Sequence, residues 1–179
     1  MIKKLPLLVV AAIAVLLIYA ATRPAVFHVE RSTTIQAPAE RIHPLINDMK
    51  QFTTWDPFSR KDPNLQSRYS GPNAGPGAVY EFEGNKDVGK GRISVTATSA
   101  PSDVVMRLDM FEPFEGSNLV TFTLVPESGA TRVTWAMDGP SPFIARLIGV
   151  FVNMDQMIGR DFEAGLANLK ALAEKPAAS

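Results

Sequence analysis

The fold is decided by residues 153–173, which read NMDQMIGRDFEAGLANLKALA. At helical spacing, one face of this stretch carries apolar or small residues: Met154, Ile158, Phe162, Gly165, Leu169 and Leu172. Charged residues fall largely off that face: Asp155, Arg160, Glu163, Lys170 and Glu174. The spacing predicts an amphipathic helix whose apolar stripe, about 100° wide, must be buried against another element. The alternating segments between residues 27 and 138 are the only partner that the sequence offers, so we expect one long helix lying across one sheet.

Alternating apolar and polar residues predict the strands of that sheet. They occupy residues 27–36, 65–69, 78–83, 88–97, 104–110, 120–124 and 132–138. Strands this close together, joined by short turns, favour an antiparallel meander, and a single apolar face indicates a sheet covered on one side. Gly89 and Gly91 lie inside one strand and predict a bulge there. A short helix is predicted to begin at residues 37–40, and a second short helical turn to follow at residues 48–54.

The N-terminal segment differs from the rest of the chain. Residues 5–21 carry no charge, and only Pro6 and Tyr19 depart from small or aliphatic residues. As a helix they would span about 25 Å, a little less than a hydrocarbon core of about 30 Å. A cleaved signal peptide is the rival interpretation, but cleavage after Ala21 would put Tyr19 where a small residue is wanted. We therefore predict an uncleaved transmembrane helix that attaches the protein to a membrane.

The charges that flank this segment bear on its orientation. Lys3 and Lys4 precede it, while Arg23 and Arg31 follow it, so the positive charge is nearly balanced. The short leading tail and its lysine pair favour a single-pass protein. Its N-terminus is predicted to lie in the cytoplasm and its domain on the periplasmic or extracellular side.

Composition excludes several kinds of site. The 179 residues contain 18 Lys plus Arg and 18 Asp plus Glu, so the net charge is zero and we predict no nucleic-acid partner. The absence of cysteine excludes disulfides, thiolate metal ligands and a cysteine nucleophile. Neither histidine, His28 or His43, has an Asp, Glu or His at metal-binding spacing, so we predict no metal site and no cofactor. His43 is predicted to lie on the surface of the early helix.

Residues 143–152 are strongly apolar, with Arg146 as their only charge. One interpretation is an early turn of the last helix that packs on the edge of the sheet. The other is a lid beside a pocket that also touches a nearby bilayer, as interfacial helices do.

Several short stretches carry a family likeness. They are FHVERS at residues 27–32, IQAP at 35–38, IND at 46–48, WDPF at 55–58, YSG at 69–71, GN at 84–85, VGKG at 88–91, TRVTW at 131–135 and DFEAGL at 161–166. With the order of elements, they resemble the START-like or SRPBCC superfamily, and within it the polyketide cyclase/dehydrase-type members. The resemblance implies an α+β helix-grip fold, in which a curved antiparallel sheet of about six to seven strands wraps around a long C-terminal helix. No catalytic residue set of the superfamily transfers to this sequence, so no catalytic residue is predicted.

The predicted organisation has three parts. Residues 1–26 form the membrane anchor and linker, residues 27–175 the START-like ligand-binding domain, and residues 176–179 a tail. In this fold the sheet and the last helix enclose an elongated apolar cavity, which Gly159 and Gly165 would leave open. The candidates to line it are Tyr80, Phe82, Met106, Leu108, Met110, Phe122, Trp135, Met137, Ile158 and Phe162. Methionine and aromatic side chains suit an apolar ligand, although a filled core would use the same residues.

Polar residues on the strands have two interpretations. Glu81, Glu83, Arg107 and Asp109 could supply acid/base groups if they pointed inward, but their alternation with apolar residues favours a solvated outer face. The aromatic pair in the stretch at residues 55–58 is interpreted as a hydrophobic plug that closes one end of the core, with contact to a ligand as the alternative.

Three functions are compatible with these patterns. The first is a membrane-anchored domain that binds a hydrophobic small molecule, lipid-like or aromatic, with residues 5–21 in the membrane. The second is an enzyme that resembles polyketide cyclases or dehydratases. The third is a structural or stress-related interaction module, which a closed cavity and a large apolar surface patch would favour.

Overall fold

Seven antiparallel strands form one sheet in the computed structural model, which describes residues 4–176. The strands of this described part are β1 (Val26–Ile35), β2 (Gln66–Ser70), β3 (Val79–Glu83), β4 (Lys90–Ser99), β5 (Asp103–Glu112), β6 (Gly116–Glu127) and β7 (Ala130–Pro140). Its helices are α1 (Lys4–Thr22), α2 (Ala39–Asn47), α3 (Met49–Trp55), α4 (Phe143–Ile148) and α5 (Met154–Ala173). Strands β2 to β7 form a meander and β1 pairs with β7, so the order is β1-β7-β6-β5-β4-β3-β2. The predicted α+β helix-grip architecture is confirmed.

The sheet bends where β4 meets β5. The register between these strands shifts at Lys90/Gly91 and again at Val95/Ala97. A Cβ at Gly91 would lie 2.6 Å from Cζ of Phe82 and 2.8 Å from a backbone carbonyl oxygen, so only glycine fits there. Bulges of this kind bend a strand and increase its twist, which lets the sheet curve towards α5.

Helix α5 covers the inner face of the sheet. Its buried residues are Gly159, Phe162, Gly165, Leu166, Leu169 and Ala173. Met154, predicted to lie on the buried stripe, is 38% exposed, and Leu172 is half-buried. The buried face is therefore rotated from the predicted one, since Gly159, Leu166 and Ala173 are buried although they were not on the predicted stripe.

Arg31 on β1 ties the start of α5 to the sheet. Its Nε donates to Oε1 of Glu163 at 2.9 Å, and its Nη1 and Nη2 donate to the two carboxylate oxygens of Asp155 at 3.1 and 3.0 Å. Nη2 also donates to the backbone carbonyl of Asp155. The hydrogen bonds that Arg31 donates to Asp155 and then to Glu163 raise the pKa of Arg31, and the bond to Asp155 in turn lowers the pKa of Asp155. The guanidinium thus holds two turns of the helix at once.

Four aromatic side chains fill the centre of the core. The ring of Trp55 lies 4.9 Å from Phe52, 5.9 Å from Phe122 and 5.7 Å from Trp135, each in an edge-to-face arrangement. The Nε1 of Trp55 donates to the carbonyl of Leu45 at 2.8 Å, so the indole is fully buried without an unpaired donor. These contacts fasten α2 and α3 to the sheet beside α5.

Helices α1 and α4 lie outside this core and contact each other. Nη1 of Arg146 on α4 donates to the carbonyls of Ala21 and Arg23 at the end of α1. No helix that the structure describes is both long and apolar enough to cross a membrane. The predicted transmembrane helix is therefore not found among the described residues. Helix α4 is separate from α5, which begins at its own cap, Asn153.

Candidate functional site

A cavity of about 450 Å³ lies between the inner face of the sheet, the loop after α3 and helix α5. Nine of the ten predicted lining residues surround it: Tyr80, Phe82, Met106, Leu108, Met110, Trp135, Met137, Ile158 and Phe162. Phe122 does not, because it is fully buried in the aromatic core against Trp55. The ligand-binding role of these residues stays a prediction.

Sequence reasoning missed part of the wall. Phe27, Phe58, Ile93 and Val120 add apolar surface, and Asp56, Ser59 and Asn118 add polar atoms. The Asp-Pro turn is more than the predicted plug, since Trp55 lies in the core while Phe58 and Asp56 border the cavity. The signal in the sequence was a Ser three residues after an Asp in a turn, a spacing at which the carboxylate accepts from the serine.

A chain of hydroxyl groups runs from the turn into the cavity wall. Oδ2 of Asp56 accepts from the backbone N of Ser59 at 2.8 Å and from its Oγ at 2.7 Å. The Oη of Tyr80 lies 3.3 Å from Oγ of Ser59 and 3.4 Å from Oγ of Ser67. Burial raises the pKa of Asp56, although the hydrogen bonds from Ser59 act in the opposite direction. Burial likewise raises the pKa of Tyr80, so its phenol is protonated at neutral pH.

Trp135 on β7 forms the part of the cavity wall that lies next to α5. Its ring stacks on Phe162 with the centroids 4.1 Å apart and the planes 9° from parallel. The residue is 3% exposed, and its Nε1 meets no hydrogen-bond acceptor among the described residues. This donor is therefore buried in an apolar wall without a protein partner.

The two glycines of α5 do not leave the cavity open, which corrects the sequence-based expectation. A Cβ at Gly159 would lie 2.0 Å from Nη2 of Arg31, and a Cβ at Gly165 would lie 2.6 Å from Cζ3 of Trp135. The same Cβ at Gly165 would also lie 2.9 Å from Cδ of Pro57. Both glycines are sites where another residue packs directly on the helix backbone.

The polar residues of the outer face are placed as their alternation predicts, with one difference. Glu83 and Arg107 are exposed and Glu81 is half-buried, but Asp109 is only 6% exposed. Nε of Arg107 donates to Asp109 at 2.8 Å, and Nη2 of Arg92 donates at 3.2 Å. Burial acts to raise the pKa of Asp109, but the hydrogen bonds outweigh it and the pKa is lowered. These groups form an ion cluster on the face opposite the cavity.

The histidines take no part in the cavity wall. His28 is exposed, and its Nδ1 lies 2.8 Å from Oδ1 of Asp138, whose hydrogen bond raises the pKa of the imidazole. His43 is buried, not on the surface as predicted, since its Nε2 bonds with Oγ1 of Thr98 at 2.8 Å. Within the described residues, no three His, Cys, Asp or Glu side chains are grouped so as to hold a metal ion.

Comparison with known proteins gives one family and a shared fold. A family model described as polyketide cyclase / dehydrase and lipid transport matches residues 26–174. Major latex-like protein from Panax ginseng superposes with a TM-score of 0.63 at 12% identity, covering 85% of this chain and 100% of that one. A protein from Chromobacterium violaceum gives 0.61 at 17% identity, with 86% and 100% covered. One from Mycobacterium smegmatis gives 0.56 at 20% identity, with 81% and 89% covered. At these identities the structures show the fold alone, and no curated protein matches the chain.

The two glycines should respond differently to substitution by alanine. Gly165→Ala places a methyl group against the rigid rings of Trp135 and Pro57, so we expect the free energy of unfolding to fall by about 1–3 kcal/mol.

Gly159→Ala meets the guanidinium of Arg31, which can move only by giving up its hydrogen bonds to Asp155 and Glu163. Both carboxylates are exposed, where an ion pair contributes about 0–1 kcal/mol, and alanine gains up to about 1 kcal/mol in helix propensity, so we expect little net change. Urea denaturation measures both changes, and equal losses would contradict these packing contacts.

The buried carboxyl of Asp56 should make stability depend on pH. Because burial raises its pKa above the ordinary value of 3.8, the folded protein holds this proton more tightly than the unfolded chain does. The stability that this proton contributes is present below pH 3.8 and is lost as the pH rises through the folded-state pKa.

Asp56→Asn is uncharged throughout, so its free energy of unfolding relative to wild type should rise across that window. The rise is about 1.4 kcal/mol for each unit of pKa difference. Denaturation in urea between about pH 4 and pH 7 measures it. Any constant offset from the amide group cancels in this comparison, and a difference that stays flat with pH would show that the carboxyl has no raised pKa.

Proposed function

The chain belongs to the polyketide cyclase/dehydrase and lipid transport family, and we propose that it binds a hydrophobic small molecule, lipid-like or aromatic, between the sheet and α5. The observation that carries this proposal is the cavity of about 450 Å³ with apolar walls. Core residues normally fill such a space, because protein interiors are close-packed. A cavity that the side chains leave open, in the size range of small-molecule sites, supports a binding role.

The composition of the wall suits an adaptable ligand. Met106 and Met110 on β5 and Met137 on β7 line the cavity together with Ile158 and Phe162 of α5. Unbranched methionine side chains adjust to ligands of different shape, while the aromatic rings supply flat contact surfaces. This combination favours a range of apolar ligands over one rigid shape.

An enzyme of the cyclase or dehydratase kind is the second candidate, and one observation favours it. The hydroxyl of Tyr80 borders the cavity and is linked through Ser59 to Asp56, so it could give a proton to a bound carbonyl group. The carboxylate itself is engaged by the turn that contains Ser59. Binding ranks first because it needs only the cavity, whereas catalysis needs a proton acceptor as well.

Contact with a membrane is a separate part of the proposal. Apolar side chains of α1 are exposed, including Ile13 at 52% and Ile18 at 65%. Ile144 on α4 is 63% exposed and Phe151, just after it, is 75% exposed. Exposed apolar surface of this extent is typical of protein or membrane contact sites. The location of the domain on the periplasmic or extracellular side stays a prediction.

A larger side chain in the cavity should weaken ligand binding. The uncharged fluorescent probe N-phenyl-1-naphthylamine should bind the full chain with increased emission, because it leaves water for an apolar space. Leu108→Trp places an indole in the cavity and should weaken binding about tenfold or more, as one lost side-chain pocket does. Fluorescence titration gives both dissociation constants.

Leu119→Trp is the matched control, since Leu119 is 49% exposed on the neighbouring strand and does not line this cavity. Its dissociation constant should equal that of wild type. Thermal denaturation checks that both variants fold. A wild-type chain that takes up no probe, or equal binding by the two variants, would rule out the cavity as the binding site.

Removing apolar character from α1 should release the chain from membranes. We expect wild type to float with vesicles of neutral phosphatidylcholine, and the double variant Ile13→Asp/Ile18→Asp to lose about tenfold or more of that binding. The control Leu119→Asp/Val125→Asp changes two apolar residues of the sheet, each 49% exposed. This control should bind the vesicles as wild type does. Flotation that is the same for both double variants would exclude α1 as the contact surface.

A further inference from the structure

Two hydrogen-bond donors on residues that line the cavity have no good acceptor among the described residues. One is Nε1 of Trp135, which meets no acceptor among the described residues. The other is the hydroxyl of Tyr80, whose nearest side-chain oxygens lie 3.3 and 3.4 Å away. Hydroxyl-to-oxygen hydrogen bonds in proteins are commonly about 2.7–2.8 Å long, so both of these contacts are weak. Trp135 and Tyr80 are 3% and 2% exposed, so bulk water does not compensate either donor.

The indole of Trp135 is fixed by its surroundings. Its face stacks on Phe162, and its Cζ3 edge lies against the backbone of α5 at Gly165 and against Pro57. Because Nε1 is on the opposite edge of the indole from Cζ3, the N–H points away from this contact with the helix. A ring held on one face and one edge cannot turn its donor to another partner without losing these contacts.

The direction of the hydroxyl chain follows from its charged end. Asp56 accepts at 2.7 Å from Oγ of Ser59, so the proton of Ser59 is committed to the carboxylate. Ser59 can then only accept from Tyr80, and it does so at 3.3 Å. The proton of Tyr80 therefore has only distant acceptors, Oγ of Ser59 and Oγ of Ser67, and a closer oxygen on a ligand would displace them.

The rest of the wall limits what that ligand can be. The carboxyl of Asp56 stands behind Tyr80, and the remaining walls are mostly apolar, so an anionic group would be repelled or left without a partner. The charged residues at the rim, Lys86 and Asp87, are exposed and of opposite sign. Neither end of the cavity therefore favours a net charge on the ligand.

We propose that the cavity selects uncharged apolar molecules that carry a hydrogen-bond-accepting oxygen, such as a ketone, quinone, ester or ether. Tyr80 is the specificity-determining donor, and its hydroxyl binds an oxygen of the ligand. Nε1 of Trp135 takes no part, because less than 1 Å² of this atom is accessible and the ring is fixed. This inference rests on the proposed binding function and adds to it the chemical class of the ligand.

Two probes of the same shape test the oxygen directly. 2-Acetylnaphthalene carries a C=O group where 2-isopropenylnaphthalene carries C=CH₂, and isothermal titration calorimetry gives both dissociation constants for the full chain. In Tyr80→Phe the ketone should bind about fivefold more weakly, as expected for one lost hydrogen bond, while the alkene is unchanged. Trp135→Phe removes a donor that has no surface open to the cavity, so its ratio of ketone to alkene affinity should equal that of wild type.

Tyr69→Phe is the matched control. Tyr69 stacks on Tyr80 with centroids 5.3 Å apart, but its hydroxyl bonds with Oγ1 of Thr53 at 2.8 Å and does not line the cavity. Its ratio of ketone to alkene affinity should equal that of wild type. Melting temperatures check folding, and if Trp135→Phe does not fold, Tyr80→Phe decides the result.

The outcomes separate this inference from the proposed function. If the alkene binds and the ratio is the same in wild type and Tyr80→Phe, the cavity binds apolar molecules without reading the oxygen, and the inference is overturned. If neither probe binds wild type, both the inference and the binding function are overturned.

Discussion

The close approach of α5 to the sheet at Gly165 is the constraint on which the rest of the structure depends. Trp135 and Pro57 lie directly against the helix backbone there, since any Cβ would meet them at under 3 Å. Nearer the start of the helix, the guanidinium of Arg31 packs against the backbone at Gly159 and donates to Asp155 and Glu163. Helix α5 is thus held at two points less than two turns apart, and the position of its first turn over the sheet follows from them.

That geometry also explains why the cavity has both apolar and polar character. Trp135 is pressed against α5 on one edge, so its N–H edge faces elsewhere, while Pro57 of the turn after α3 packs against the same helix at Gly165. The same turn contains Asp56 and Ser59. The hydroxyl of Ser59 donates to Asp56 and lies 3.3 Å from the hydroxyl of Tyr80. The packing of this turn against α5 therefore also determines where the polar atoms of the cavity wall lie.

Periodicity in the sequence was enough to predict the strands, the meander and the last helix, because each is a local pattern of apolar residues. It could not predict which way α5 is rotated, since Met154 and Leu166 are equally apolar and only the extent of the sheet decides which is covered. Glycine is ambiguous for a similar reason, because an empty space and a close contact both require a residue without a side chain. Phe122 looked like a lining residue because strand alternation gives its face but not its depth in the core.

Burial of polar groups was also beyond local patterns. Asp109 is covered by Arg107 of its own strand and by Arg92 of the neighbouring strand. His43 on α2 is paired with Thr98 on β4. The contacts of Arg92 and His43 join residues on different elements, which a local pattern does not show. The alternation correctly predicted that Asp109 lies on the outer face of the sheet. Whether a side chain there is exposed also depends on whether neighbouring side chains are long enough to cover it. The weak donors Tyr80 and Trp135 could be found only once their distances were known.

The pairing of β1 with β7 has a consequence for how the chain folds. Val29 lies opposite Met137, and Arg31 on the same strand binds residues of α5, so a strand near the start of the domain is completed by its last elements. The meander from β2 to β7 can assemble from neighbours in sequence, but β1 must wait for chain made more than a hundred residues later. Closure of the sheet is thus the step of high contact order, and it makes completion of the C-terminus the event that commits the domain to its native topology.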